Sequence, residues 1–174
     1  MELRAHPALV RKNSVLANVD GVLNGVFLMG RALGPCLLVG RGAGDMPTAV
    51  SVVADIVDVA ASRIHGESGL ATRGIQIKTR PVMSPDSIET RYYLRFEVGD
   101  HPGVLGRIAS ALGSEGVSIE QMVQEGRAQS AGEAVPVCII THQSREGAVR
   151  NALAAIGAKS FMKRPPRLLR IEDV

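Results

Sequence analysis

Residues 91–122 read RYYLRFEVGDHPGVLGRIASALGSEGVSIEQM, and this stretch decides the fold. Tyr92, Leu94, Phe96 and Val98 alternate with Tyr93, Arg95 and Glu97, the period of two expected of a strand with one face on a core. Asp100, Pro102 and Gly103 then stop the strand and start a helix. Val104, Leu105, Ile108, Ala109 and Leu112 share one face of that helix, and Gly113 and Gly116 close it. Val117 and Ile119 resume the alternation. Strand, helix-opening turn and second strand therefore follow one another with almost no connecting chain.

The rest of the chain repeats the pattern. Residues 134–142, AVPVCIITH, form an apolar run of β-rich composition. A helix follows, with Ser144 as the expected N-cap, Val149, Leu153 and Ile156 as its buried stripe and Gly157 at its end. KSFMK and RLLRIE supply a last strand interrupted by Pro165 and Pro166. The connection EGRAQSAGE, residues 125–133, is polar and reads as an exposed hairpin loop. Two strand–helix–strand halves predict a split βαβ sheet with both helices on one face. The turn DHPGVL, residues 100–105, resembles the first turn of ACT domains, the βαββαβ modules of metabolic enzymes that bind amino acids.

Composition bounds the answer. The 174 residues are 45% hydrophobic and 21% charged, an ordinary balance for a globular chain able to bury a core. The net charge of +3 is mildly basic, with the densest cluster in KRPPRLLR. Aromatics make up only 3% and no base-reading motif accompanies the cluster, so a solvated edge strand is expected there and nucleic-acid binding is not.

Cys36 and Cys138 stand far apart and outside any CxxC spacing, so reduced, buried thiols are expected rather than a disulfide. His6, His65, His101 and His142 have no ligand spacing, and no metal site is assigned. The N-terminal residues lack a signal-peptide pattern and no apolar run reaches membrane-spanning length, which makes the cytoplasm the expected location and a membrane partner unexpected.

The first 62 residues have another character. MELRAHPALV reads as a short strand ending at the His6–Pro7 turn. Residues 22–29 and PCLLVG, residues 35–40, form a hairpin around the turn MGRALG. GRGAGDMPTAVSVVADIVDVA, residues 40–60, then runs a strand into a glycine-rich turn and a helix. Gly40, Gly42 and Gly44 permit close backbone approach. Asp45 is the expected N-cap, Pro47 sits in the first turn, and Val50, Val53, Val57 and Ala60 make an expected buried stripe. Open N–H groups at such a helix start suit an anion or carbonyl. A tight strand-to-helix connection needs the same glycines, and GxGAG is not the dinucleotide fingerprint.

In order, HPALV, NVDGVLNGVFL, GRGAGDMPTAVSVVADIVD and DHPGVL resemble the C-terminal portion of homoserine dehydrogenases of the ACT-containing bacterial type. The resemblance implies an α+β chain: residues 1–62 are the end of a catalytic domain, a hairpin plus helix; residues 63–90 are a linker; residues 91–174 are a ferredoxin-like ACT domain. It implies NAD(P)-dependent interconversion of L-homoserine and L-aspartate 4-semialdehyde by the complete enzyme. Gly44, supported by Gly42 and Thr48, corresponds to the glycine beside the cofactor. No catalytic lysine or substrate carboxylate falls within the chain, so no catalytic residue is assigned. This chain alone is expected to bind no cofactor and to be inactive. RKNSVLA departs from a segment that in the family is often rich in Asp, His and Pro.

The ACT resemblance implies effector binding at Asp100, Gly103, Val104 and Leu105, where helix-start N–H groups hold a carboxylate. L-threonine, the end product of the branch, is the expected effector. A homo-oligomer formed through the ACT and catalytic-domain sheets is the expected assembly. The alternative is a free-standing ACT-type amino-acid-binding or oligomerisation protein without enzymatic activity.

Overall fold

The computed structural model describes residues 1–66, 78–124, 126 and 133–173. Their chain divides into two units, Met1–Val10 with Pro81–Asp173 and, inserted between them, Arg11–Arg80.

In the inserted unit a short 3-10 turn, Val15–Asn18, capped by the Ser14 hydroxyl, precedes the hairpin of β2 (Leu23–Gly30) and β3 (Gly34–Arg41). The two strands pair antiparallel along their whole length, from Leu23 opposite Arg41 to Gly30 opposite Gly34. Gly34 lies at φ +74°, a turn conformation that costs glycine nothing. Helix α1 (Asp45–Ile64) follows. Its N-cap is Gly44 rather than the expected Asp45, which becomes the first helical residue, an acidic side chain placed well for the helix dipole. The expected buried stripe is not buried: Val50, Val53 and Val57 are each more than half exposed, and Ala60 is exposed too. Periodicity correctly marked an apolar helix face; the described residues of the unit contain no second layer to cover it.

The other unit is built on one sheet. Strand β4 (Glu89–Gly99) lies at its centre, between β6 (Ala134–Thr141) and β8 (Arg167–Glu172), and β5 (Ile119–Gln124) pairs outside β6, all antiparallel. Helices α2 (Val104–Ser114) and α3 (Glu146–Gly157) cover one face. This is the predicted ferredoxin-like βαββαβ arrangement. The even positions of β4 face inward as the alternation requires, with Tyr92, Leu94, Phe96 and Val98 packed against Ile108, Leu112, Val149 and Ile156. Gly116, at φ +74°, ends α2, and the Val117 N–H returns to the Leu112 carbonyl.

Three local readings are corrected. Ser144 is not the N-cap of α3: it pairs with Thr90 in the two-residue strand β7 (Ser144–Arg145), its hydroxyl donates to the His142 carbonyl, and Arg145 takes the cap position. KSFMK does not form part of a broken last strand. It contributes one bridge, Met162 to Val98, and the two prolines confine the strand to Arg167–Glu172. The strand in MELRAHPALV lies after Pro7, not before it: β1 (Ala8–Val10) starts past the residue that lacks an N–H and pairs parallel with β8, so this segment joins the ACT sheet. The expected loop at 125–133 falls mostly outside the described residues.

Candidate functional site

The ACT turn is the better formed of two candidate sites. Strand β4 ends at Gly99, whose N–H is held by the Phe161 carbonyl at 2.9 Å, and the chain turns back on itself through His101 N–H to Gly99 O, 3.0 Å. Gly103 then adopts φ +85°, ψ −5°, left-handed geometry that a side chain resists, and serves as the N-cap of α2. No side chain caps this helix. The Val104 N–H donates to the His101 carbonyl at 3.3 Å, which leaves the Leu105 and Gly106 N–H groups of the first turn without an intrahelical partner. Val98, Gly99, Asp100, His101, Pro102, Gly103, Val104, Leu105, Gly106 and Gln124 line a groove of about 480 Å³ against this turn.

All four residues expected from the sequence, Asp100, Gly103, Val104 and Leu105, are brought together there. A Cβ at Gly103 would meet nothing within 4 Å, so conformation rather than crowding demands glycine, and the space above it is open. Val104 is buried and forms the apolar floor; Asp100 and Gly103 are exposed. Chemically the groove offers backbone donors, one carboxylate and one imidazole, a set suited to a small zwitterion. His101 also lines the groove. Gln124 was missed, because it arrives from the end of β5 and only the strand order brings it near the β4–α2 turn.

The second candidate lies in the inserted unit, between β3 and α1. Gly44 has φ +119°, ψ 158°, a region essentially reserved for glycine. The Thr48 hydroxyl and N–H both bond the Gly44 carbonyl, at 2.8 and 3.1 Å, fixing the turn. At Gly42 an added Cβ would overlap the Asn24 side-chain amide, whereas at Gly40 it would meet open space. Gly42, Gly44 and Thr48 thus form one tight turn as expected. Asp45 in the first helical turn opposes an anion there.

The ACT sheet also carries a polar cluster. Glu146, 5% exposed at the start of α3, accepts from the Tyr92 hydroxyl at 3.2 Å and from both guanidinium branches of Arg170, Nε at 2.7 Å. Burial works to raise the Glu146 pKa, but the Arg170 hydrogen bonds and charge, with Tyr92, outweigh it and hold the carboxyl below its usual range. Burial and the neighbouring carboxylate push the Tyr92 hydroxyl above its ordinary value. On the opposite sheet face Tyr93, Arg95, Gln121, Val123, Pro136, Cys138 and Ile140 surround a shallow concavity of about 390 Å³. Among the described residues no cluster of His, Cys, Asp and Glu could hold a metal ion, and no helix is long and apolar enough to cross a membrane.

The split βαβ sheet and its glycine turn define an ACT domain, and the ACT domain family matches residues 92–158. Residues 1–57 match the homoserine dehydrogenase family, so the chain joins a segment of that family to an ACT domain. Over 100% of its length it is 40% identical to homoserine dehydrogenase of Neisseria gonorrhoeae, and over 99% it is 37% identical to that of Pseudomonas aeruginosa. The crystal structure of a homoserine dehydrogenase from Thiobacillus denitrificans superposes with a TM-score of 0.82 at 38% identity over 99% of the chain and 39% of its own. The chain spans about 40% of the length of these relatives, corresponding to their C-terminal portion.

Proposed function

We propose that the chain acts as the C-terminal part of an NAD(P)-dependent homoserine dehydrogenase, which interconverts L-homoserine and L-aspartate 4-semialdehyde, and that its ACT domain binds a regulatory amino acid. The observation that carries this reading is the joining of the Gly42–Gly44 turn to an ACT domain in one chain similar throughout to those enzymes. The cofactor supplies the hydride acceptor. Gly44 gives it a surface free of side chains, with Gly42 and Thr48 holding the turn; the described residues offer no group for its ribose or phosphates.

L-Threonine is the proposed effector. Its carboxylate would take the helix-start N–H groups at Leu105 and Gly106, beside Val104, its ammonium Asp100, and Gly103 would leave room above the turn. A homo-oligomer is proposed too. The partly exposed sheet face around Tyr93, Cys138 and Ile140, and the apolar face of α1, are the surfaces a partner subunit would cover. Calorimetric titration with threonine, isoleucine, methionine and lysine tests the effector reading. Heat with threonine that vanishes in Asp100→Ala is expected; no heat with any of the four would leave the ACT domain a purely architectural module.

A further inference from the structure

Residues 1–57 match the homoserine dehydrogenase family, yet the first ten of them belong to the ACT unit and Ala8–Val10 pair in its sheet. Ala8, Leu9 and Val10 pair parallel with Arg170, Ile171 and Glu172, so β8 has neighbours on both sides, β1 and β4. Without β1, the β8 edge at Arg170–Glu172 would present unpaired N–H and C=O groups, a template for unwanted strand addition. Further contacts secure the same ten residues. The Met83 N–H donates to the Met1 carbonyl at 2.9 Å, which ties the start of the segment to the chain that re-enters the unit at Pro81. Arg4 Nη2 lies 3.0 Å from Glu172 Oε1, and Arg4 Nε 2.5 Å from Glu2 Oε1. The Arg4 side chain is only 20% exposed, so these charges meet where water screens them poorly.

We propose that residues 1–10 are a clamp: a strand supplied from before the inserted unit that docks on the β8 edge, latched by Arg4 on Glu172, and holds the ACT unit to the start of the inserted unit independently of the covalent link at Arg80–Pro81. A movement of the ACT sheet is then passed to the inserted unit at both of its ends, the Val10–Arg11 and Arg80–Pro81 junctions. The proposal concerns the sheet edge alone and stands whether or not the ACT turn binds an effector.

Two measurements on the full chain test it. A protease recognition sequence inserted after Lys78, which is exposed outside any helix or strand, allows the folded protein to be cut. The two pieces are expected to elute together on size exclusion, and to separate when Arg4→Glu and Leu9→Pro are combined. Separation of the unsubstituted pieces overturns the clamp, as does continued association of the doubly substituted ones. In the uncut chain, hydrogen exchange followed by mass spectrometry should show the 170–172 amides protected. Arg4→Ala should speed their exchange by about tenfold while the 92–98 amides keep theirs. Free-edge exchange at 170–172 in the unsubstituted chain, or equal acceleration at both segments, contradicts it.

Discussion

Tyr92 donates its hydroxyl to Glu146 across 3.2 Å inside the ACT unit, and thereby joins the central strand to the first turn of the second helix. Arg170 of β8 grips the same carboxylate. Three elements that are distant in the chain meet at one buried charge, and the pair is satisfied only when all three are in register.

Removing the cation should therefore cost more than removing the hydroxyl. Arg170→Met strands a buried carboxylate and is expected to lower the unfolding free energy by about 3 kcal/mol. Tyr92→Phe, which deletes one hydrogen bond and keeps the ring in the core, should cost about 1 kcal/mol. Urea unfolding of the two variants measures the difference; equal losses would show that Arg170 is not what keeps Glu146 ionised.

The same cluster sets a pH dependence at both ends. The Glu146 carboxyl is held low in the folded protein, so its contribution is present above the ordinary glutamate range and is lost as pH falls through the lowered value. The Tyr92 hydroxyl is held high, so its contribution is complete below about pH 10 and declines above it. Stability measured against pH should fall at both limbs. Arg170→Met should flatten the acid limb, and Tyr92→Phe the alkaline one.

Gly42 and Asn24 make a separable pair in the inserted unit. Gly42→Ala places a methyl group on the exposed Asn24 side-chain amide, which must turn aside, and should destabilise by about 1 kcal/mol. In an Asn24→Ala background the same substitution should cost about 0.5 kcal/mol or less, because Gly42 has no positive φ to preserve. Thermal unfolding of the four proteins in the cycle gives the coupling; additive losses would mean that backbone approach, not the Asn24 side chain, requires the glycine.

The alternation of Tyr92 to Val98 and the stripe of Ile108 and Leu112 were enough to place β4, α2 and the core between them, because period and burial agree wherever one face meets another. Asp100, Gly103, Val104 and Leu105 follow from the resemblance of DHPGVL to an ACT turn, and the structure brings the four to one groove. What stayed hidden depends on contacts made across the sheet. Gln124 reaches the groove only through the strand order, and Ser144, whose composition suits a cap, is taken instead by pairing with Thr90. The three residues of β1 carry too little pattern to announce their partner. Val50, Val53 and Val57 show the reverse limit, since periodicity reports an apolar face without reporting what lies against it.

At the ACT turn, Gly103→Ala tests geometry against ligand approach. The φ of +85° makes the substitution cost about 1 kcal/mol of stability, with no steric clash inside the chain. Threonine affinity, measured by calorimetry, should fall by about tenfold or more if a bound ligand occupies the space above the turn. Unchanged affinity in a folded variant would place the ligand elsewhere.

Strand β1 also bears on how such a domain is inherited. A sheet finished by a strand from before an inserted unit is not a contiguous cassette: a segment beginning at Pro81 carries the ACT turn and both helices but leaves β8 bare. Exchange of regulatory domains between relatives would have to recombine at two places, on either side of Arg11–Arg80, to move the whole sheet.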